Sequence, residues 1–241
     1  MLVANIFDSI SGAFDFIFQS REAVGGGLQV GGPQQVLDLL WTQTWICALA
    51  LAIAIAIAMP IGVVLGHRGS GELLAVAVGN AGRAIPELAV IALMAAFVGL
   101  GVLNVTIALL ILGVPPILTN SFVGIRQVDP GTVEAARAMG MTEFQIIRKV
   151  ELPLAVPTIM GGVRTGSVNI VATATIAPLA GVLTLGDFIL SRNVYGDDGV
   201  LAGAILVGLL ALAFELVLSG LQRFLTPKGL VVARRVAEAT S

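Results

Sequence analysis

Apolar residues run through this chain in blocks of about 20, separated by short polar breaks, and one long interior stretch is polar. A helix rises 1.5 Å per residue, so about 20 apolar residues cross a hydrocarbon core of about 30 Å. The pattern predicts five helical spans, over residues 36–66, 85–101, 105–125, 155–182 and 200–221. The first has an uncharged heart from Trp41 to Leu65, and Trp41 and Trp45 near its start fit an interfacial aromatic belt. Pro60 and Gly62 predict a bend near its far end, and His67 to Gly71 a tight turn. A short helix over 72–83 precedes the second span, which opens at Ile85-Pro86, where a proline in the first turn costs no hydrogen bond. Pro115-Pro116 predicts a broken or kinked third span facing protein rather than lipid. The fourth span carries Gly161, Gly162, Thr165, Gly166, Thr173 and Thr175. Small residues let helix backbones approach and hydroxyls bond across helices, so this reads as a central, protein-facing helix.

The flanks and the polar stretch have their own patterns. Over Leu2 to Phe18, apolar residues mix with Asp8, Ser9, Ser11 and Asp15, too polar to span. Gly25-Gly26-Gly27 and Gly31-Gly32-Pro33 then mark a flexible linker. Residues 1–35 therefore read either as an external amphipathic interfacial helix with a linker or as a loosely ordered tail. Residues 126–153 form the polar loop. Asp129-Pro130 is a helix start, with Asp as N-cap and Pro at the first helical position. Glu134, Ala135, Ala136, Ala138 and Met139 favour helix, and Gly140 stops it by taking a left-handed conformation. Thr142 and Gln145 have the spacing of a capping box that starts a second helix, and Pro153 ends it. The prediction is a rigid helical elbow with Gly140 at its joint.

Composition fixes the class. Apolar residues make up 57% and charged residues 12%, against roughly 25% charged in soluble domains. Mean hydropathy is +0.99. This is an all-α polytopic membrane protein. The net charge of −2 says little, because in a membrane protein the placement of Lys and Arg counts. With the polar loop inside, Arg68, Arg83, Arg126, Arg137, Arg148, Lys149, Arg223, Lys228, Arg234 and Arg235 are cytoplasmic. Arg21 and Arg192 lie outside, and Arg164 falls within a span. Ten against two places the N-terminus outside and a basic tail, 224–241, in the cytoplasm. The one cysteine, Cys47, excludes an intrachain disulfide or a cysteine metal site. No basic nucleic-acid-binding face is present, and no secretory signal pattern opens the chain. No Walker A pattern occurs, so any ATP hydrolysis belongs to another chain, and no cofactor or metal is expected in this one.

Polar residues inside spans usually face protein or water. Thr119 and Asn120 near the end of the third span, Asn169, Thr173 and Thr175 on the fourth, and Glu215 in the last are therefore candidates for a translocation path. For any single one, ordinary interhelical hydrogen bonding is the more common role. Glu215 either lines the path or pairs with a cation, with snorkelling or pairing at a dimer seam equally open; Arg164 reaches the cytoplasmic interface or a carboxylate, and Glu87 stands four residues after Arg83 on one helical face.

Glu134-Ala135-Ala136, Gly140, nine residues, then Val150, Leu152 and Pro153 resembles the EAA loop of binding-protein-dependent ABC importer permeases, with Val150 where the family usually has Ile. The segment from Asn80 through Arg83 to Ile85-Pro86 resembles the start of a core span in the type I, methionine-importer-like group. Pro116 to Ile125, Val128-Asp129-Pro130, Met139 to Thr142, Val150 to Leu154, Gly162 to Thr165 and Ala172 to Ile176 resemble the osmoprotectant branch, which imports glycine betaine, choline, carnitine or proline betaine. The likeness covers about residues 36–223. It departs at Ala180 to Gly186, which holds fewer glycines than the branch commonly does, and no fused C-terminal binding domain follows. The resemblance implies a five-span type I importer core in the bacterial cell membrane. It implies a second permease chain (a copy or a paralogue), a cytoplasmic ATPase dimer that holds ATP and Mg, and an external solute-binding protein. Glu134, Ala135, Ala136, Gly140, Leu152 and Pro153 would then couple the chain to the ATPase. Besides membrane lipid and these proteins no partner is implied, nucleic acid least of all. Importers of other small solutes such as amino acids, and a passive channel or scaffold subunit, remain the alternatives. The channel has no need for a glycine-broken elbow. Both tryptophans lie near the outer interface and one tyrosine is present, too few for the aromatic cages that hold quaternary ammonium groups. Solute choice is therefore expected in the binding protein.

Overall fold

The computed structural model describes residues 2–227, with backbone alone for 2–7 and for Arg83. Helix dominates. α1 (Leu2–Phe18) leads into a two-stranded antiparallel hairpin, β1 (Ser20–Glu22) and β2 (Gln29–Gly31), in which Arg21 faces Val30. There follow α2 (Gly32–Arg68), α3 (Glu72–Ala84), α4 (Glu87–Val98), α5 (Val102–Arg126), α6 (Pro130–Ala138) and α7 (Glu143–Ile146). A π turn over Ile147–Glu151 runs directly into α8 (Leu152–Thr173), which tightens to a 3₁₀ segment over Ala174–Ala180. α9 (Gly186–Leu190) and α10 (Arg192–Leu225) complete the described chain.

Among the described residues, α2, α5 and α10 are each long and apolar enough to cross a membrane. α4, with 12 residues, reaches only about 18 Å by itself. α8 has the length, with 22 residues, but Arg164 and its Gly and Thr residues make it less apolar than those three. On α10, Leu209, Leu212, Leu216 and Val217 are more than half exposed, an apolar face that lipid or protein must cover.

The chain divides into two compact units. The first comprises residues 1–50, 86–110 and 168–213. Its aromatic centre is Phe16, Phe188 and Tyr195, packed edge to face with centroids 4.9–6.1 Å apart. Arg21 lies over the Phe16 ring and donates to Asp198 at 2.6 Å and to the Tyr195 carbonyl at 3.1 Å. The Val24 N–H donates to the Val194 carbonyl. Residues 19–31 are thus a hairpin pinned to the start of α10, where the glycine pattern alone predicts a flexible linker. The glycines serve the turn and the close passage of the chain instead: Gly31 has φ 76° and lies against the Phe16 backbone. Fully buried Gln43 of α2 donates to the Val171 carbonyl and accepts from the Leu185 N–H, and Thr184 donates to the Ala174 carbonyl. These bonds fasten the loop after the 3₁₀ segment to the end of α8. Gly186 sits so close to Thr175 that an added Cβ would fall 1.7 Å from its carbonyl oxygen.

The second unit comprises, among the described residues, 51–85, 111–167 and 214–227. Here α5 packs between α2 and α8 along glycine-lined contacts. A Cβ at Gly62 would meet the Leu118 carbonyl at 2.6 Å, and one at Gly66 the Phe122 carbonyl at 2.9 Å. On the other side, a Cβ at Gly162 would meet Asn120 and the Pro116 carbonyl, and one at Gly166 the Gly113 carbonyl at 3.0 Å. Both pairs have the four-residue spacing that lets helix backbones meet. Gly162 and Gly166 act as the composition of α8 predicts. Val63, Ile125, Ala155 and Ile159 form a buried cluster in this unit, with Met59, Ile147 and Leu152 against it.

The prolines sit inside continuous helix. α2 continues through Pro60, and Gly62 packs close against α5. α5 is not broken at Pro115 and Pro116, and the Pro115 ring lies against Gly82 of α3. Pro153 does not end the elbow's second helix. The π turn precedes it and the helix carries on as α8. Neighbouring helices accommodate a segment that lacks N–H groups.

Candidate functional site

The elbow forms as its local signals predict, because each signal concerns residues three or four apart. The Asp129 carboxylate accepts from the Thr132 N–H at 2.8 Å and from the Thr132 hydroxyl at 3.0 Å, capping α6. Those bonds, the backbone one first, hold the Asp129 carboxyl below its ordinary range. At the other end, the Gly140 N–H donates to the Arg137 carbonyl and the Met141 N–H to the Ala136 carbonyl. This is a Schellman closure, and Gly140 takes the left-handed position at φ 82°. Thr142 and Gln145 complete the reciprocal capping box that starts α7.

α6 folds back against α7 and the π turn. Ala136, Ile146 and Glu151 are the residues these elements bury. Glu134, Ala135 and Gly140 are exposed, and Leu152 and Pro153 are partly buried. Met139 and Phe144, on either side of the joint, are at least 70% exposed. Arg137 grips Glu143 through two bonds, of 2.9 and 3.0 Å, and this contact holds the Glu143 carboxyl below its ordinary range. A cavity of about 420 Å³ lies beside α6, lined by Gln127, Val128, Asp129, Thr132, Leu154 and Thr158 among others. The elbow therefore offers a solvent-facing apolar tip on a stiff base, and the base is continuous with α8.

The family of binding-protein-dependent transport system inner membrane components matches residues 58–229, which include the whole elbow. The chain belongs to this family. It is a permease subunit of an ABC importer and a membrane protein. The carnitine transport permease protein OpuCB of Listeria monocytogenes is 39% identical over 199 residues, covering 82% of this chain and 91% of that one. The glycine betaine/carnitine/choline transport system permease protein OpuCB of Bacillus subtilis (strain 168) is 34% identical over 194 residues, 80% of this chain and 89% of that one. The choline transport system permease protein OpuBB of the same organism is 36% identical over 186 residues, 77% and 86%. Among solved structures, the methionine ABC transporter MetNI in inward-facing conformations matches with a TM-score of 0.69 at 21% identity. The match covers 81% of this chain and 98% of that one, and shows a shared fold.

The polar residues picked out for this permease's path stand in several environments. Thr119 donates to the Ala75 carbonyl of α3 at 3.1 Å, and Asn120 donates to Pro116 of its own helix at 2.8 Å. Asn169 is partly buried. Thr173 is fully buried with its hydroxyl unpartnered, and Thr175 donates back to Ala172 at 2.6 Å. Glu215 pairs with Arg164, which donates to it through Nε at 2.7 Å and through a terminal nitrogen, and which also donates to Gln222 at 3.0 Å. Of the two roles open to Glu215 in the pattern, the structure takes pairing with a cation. The Arg83 side chain lies outside the described residues, so the pairing expected with Glu87 falls there too. Lys228, Arg234 and Arg235 lie beyond the described chain. The pairs Arg164–Glu215 and His67–Glu151 were not readable from sequence, since 51 and 84 residues separate the partners. For Arg164 and Glu215, a charged residue standing alone in an apolar run was the available signal.

Proposed function

We propose that this permease imports quaternary-ammonium osmoprotectants such as glycine betaine, carnitine or choline, driven by ATP hydrolysed in a separate cytoplasmic subunit. The observation that carries the solute class is the set of three relatives at 34–39% identity, each covered over 86% or more of its length, whose names carry those solutes. In this reading five segments cross the membrane, the N-terminus is outside and the elbow is cytoplasmic. The ten-to-two placement of Lys and Arg supports that orientation.

The elbow docks on an ATPase dimer. Glu134, Ala135 and Gly140 face it, with Met139 and Phe144 as the apolar contacts. Ala136 acts from beneath, as the small residue that lets α6 lie close to α7. A push on the tip meets no flexible joint between α7 and α8, because the helix runs on through the π turn, Leu152 and Pro153. The spans then rock from inward-facing to outward-facing, and an external binding protein delivers its solute. A second permease chain completes the pathway. Thr119, Asn120, Asn169, Thr173 and Thr175 remain the candidates for lining it, with Thr173 favoured by its unpartnered buried hydroxyl. The Phe16, Phe188 and Tyr195 rings close on one another rather than on a cavity, which supports placing solute choice in the binding protein.

The test is reconstitution in proteoliposomes with the candidate ATPase and binding protein. Uptake of labelled glycine betaine, carnitine and choline is compared with that of methionine. ATP-dependent uptake of a quaternary amine, with ATP hydrolysis stimulated by the loaded binding protein, is the expected result. Preferential methionine uptake, or uptake indifferent to ATP, would overturn the proposal.

A further inference from the structure

His67, the one histidine of the chain, ends α2 in a setting that the importer reading leaves unused. Its Nδ1 lies 2.7 Å from Glu151 of the π turn and its Nε2 lies 3.1 Å from Glu143 of α7. The imidazole is 12% exposed, Glu151 is 5% exposed at its side chain, and Glu143 is shared with Arg137 of α6. The contacts form a continuous line: Glu151, His67, Glu143, Arg137. The covalent chain already ties the elbow to α5 and α8. This line ties it to α2 as well, through side chains 84 residues apart.

The chemistry of the line is unequal. Carboxylates accept hydrogen bonds and do not donate them, while a neutral imidazole has a single N–H. Both His67 contacts are hydrogen bonds only when the ring carries two protons. The position suits that form, because the last turn of a helix favours a cation. Glu151 points the same way. It is a buried carboxylate, and its one hydrogen-bonded partner among the described residues is His67. A buried carboxylate left without a partner is strongly unfavourable.

We propose that His67 is a positioning residue that clasps α2 to the coupling elbow, so that movement of the elbow reaches α2 only while both of its carboxylate contacts hold. The proposal rests on the importer reading. The elements that meet here also carry Arg68 on α2 and Arg148 and Lys149 on the π turn, and Arg126 of α5 lies beside Gly69. The clasp needs a donor on each side of the ring, one for Glu151 and one for Glu143, so a side chain that donates from one side only leaves one carboxylate unserved.

The experiment measures solute carried per ATP hydrolysed by the reconstituted complex for the wild type, His67→Gln and Glu151→Gln. A glutamine carries its donors on one nitrogen, where the ring offers one on each side, so His67→Gln should lower the ratio about tenfold, and Glu151→Gln should lower it as well. Assembly with the ATPase is checked by co-purification. If His67→Gln does not assemble, the double variant with Glu151→Gln removes the orphaned carboxylate and is measured in its place, with the same lowered ratio expected. A wild-type ratio in the variant that assembles would overturn the clasp. Failure of the importer reading would look different: the wild type itself would show no solute-stimulated ATP hydrolysis.

Discussion

Replacing Gly140 tests the backbone conformation at the elbow's joint. At φ 82° the residue is left-handed, and a Cβ built on it meets nothing within 4 Å. A substituted side chain therefore has room within this chain, and its effect on the folded elbow comes from the main chain; asparagine, bulkier than alanine but tolerant of this conformation, separates that effect from a clash with the docked partner. A left-handed conformation costs an ordinary L-residue about 1–2 kcal/mol, more for a β-branched one and less for asparagine. Against a closed Schellman turn, 1–2 kcal/mol shifts the population of the formed joint by about 5- to 30-fold. The order of damage should be Gly140→Asn, then Gly140→Ala, then Gly140→Val. The assay is solute transported per ATP in proteoliposomes, with ATP hydrolysis measured on the same samples. Gly140→Val should keep hydrolysing ATP while transport falls by about tenfold, and Gly140→Asn should stay within about threefold of wild type. If Asn and Val were equally damaging, the left-handed backbone would not be the cause. Unchanged transport by Val would remove Gly140 from the coupling mechanism altogether.

Three further outcomes follow from the geometry. Gly186→Ala should prevent stable folding, with a loss above about 4 kcal/mol, because its Cβ would overlap the Thr175 carbonyl; Gly208→Ala, which meets nothing within 4 Å, is the control, and equal melting temperatures in detergent would refute the contact. Arg164→Gln should lower the melting temperature more than the double variant Arg164→Gln/Glu215→Gln, since the single change orphans a carboxylate in an apolar span; additive losses would argue against the pair. Asp129 has its carboxyl held low by the cap, so its contribution is present above about pH 4 and is lost as pH falls through the lower folded value. Exchange of the Thr132 amide, corrected for its intrinsic rate, should accelerate on acidification in wild type but not in Asp129→Asn, and an identical response in both would exclude the carboxylate.

What could be read in the sequence was whatever depends on near neighbours. The Asp129 cap, the Gly140 stop and the Thr142–Gln145 box each involve partners within four residues, so the elbow could be drawn residue by residue. The apolar blocks likewise marked α2, α5 and α10. Proline was misjudged at Pro153, where the helix runs on as α8, and the break allowed at Pro115-Pro116 does not occur. Whether a proline ends a helix depends on the neighbouring helices, and a local rule does not see those neighbours. The glycines of residues 25–32 were taken for slack because the partners that pin the hairpin, Asp198 and Val194, lie more than 160 residues away.

The same limit explains which functional features were missed. Gly62 and Gly66 repeat, against one side of α5, the four-residue spacing that Gly162 and Gly166 use against the other. One pair was recognised because threonines accompany it, while the other was read as a bend because a proline precedes it. Taken together the two pairs make α5 the tightly held element of the second unit. Glycine packing of this kind leaves no room for a side chain between the backbones, and polar ties fix further points. Those ties are His67 to Glu151 and Glu143, and Arg164 to Glu215. On the importer reading, a motion that enters at the elbow would carry the seam-packed helices together and be transmitted at the ion pairs. The seams should tolerate Gly66→Ala poorly in folding, whereas loss of His67 should spare assembly and alter the solute carried per ATP.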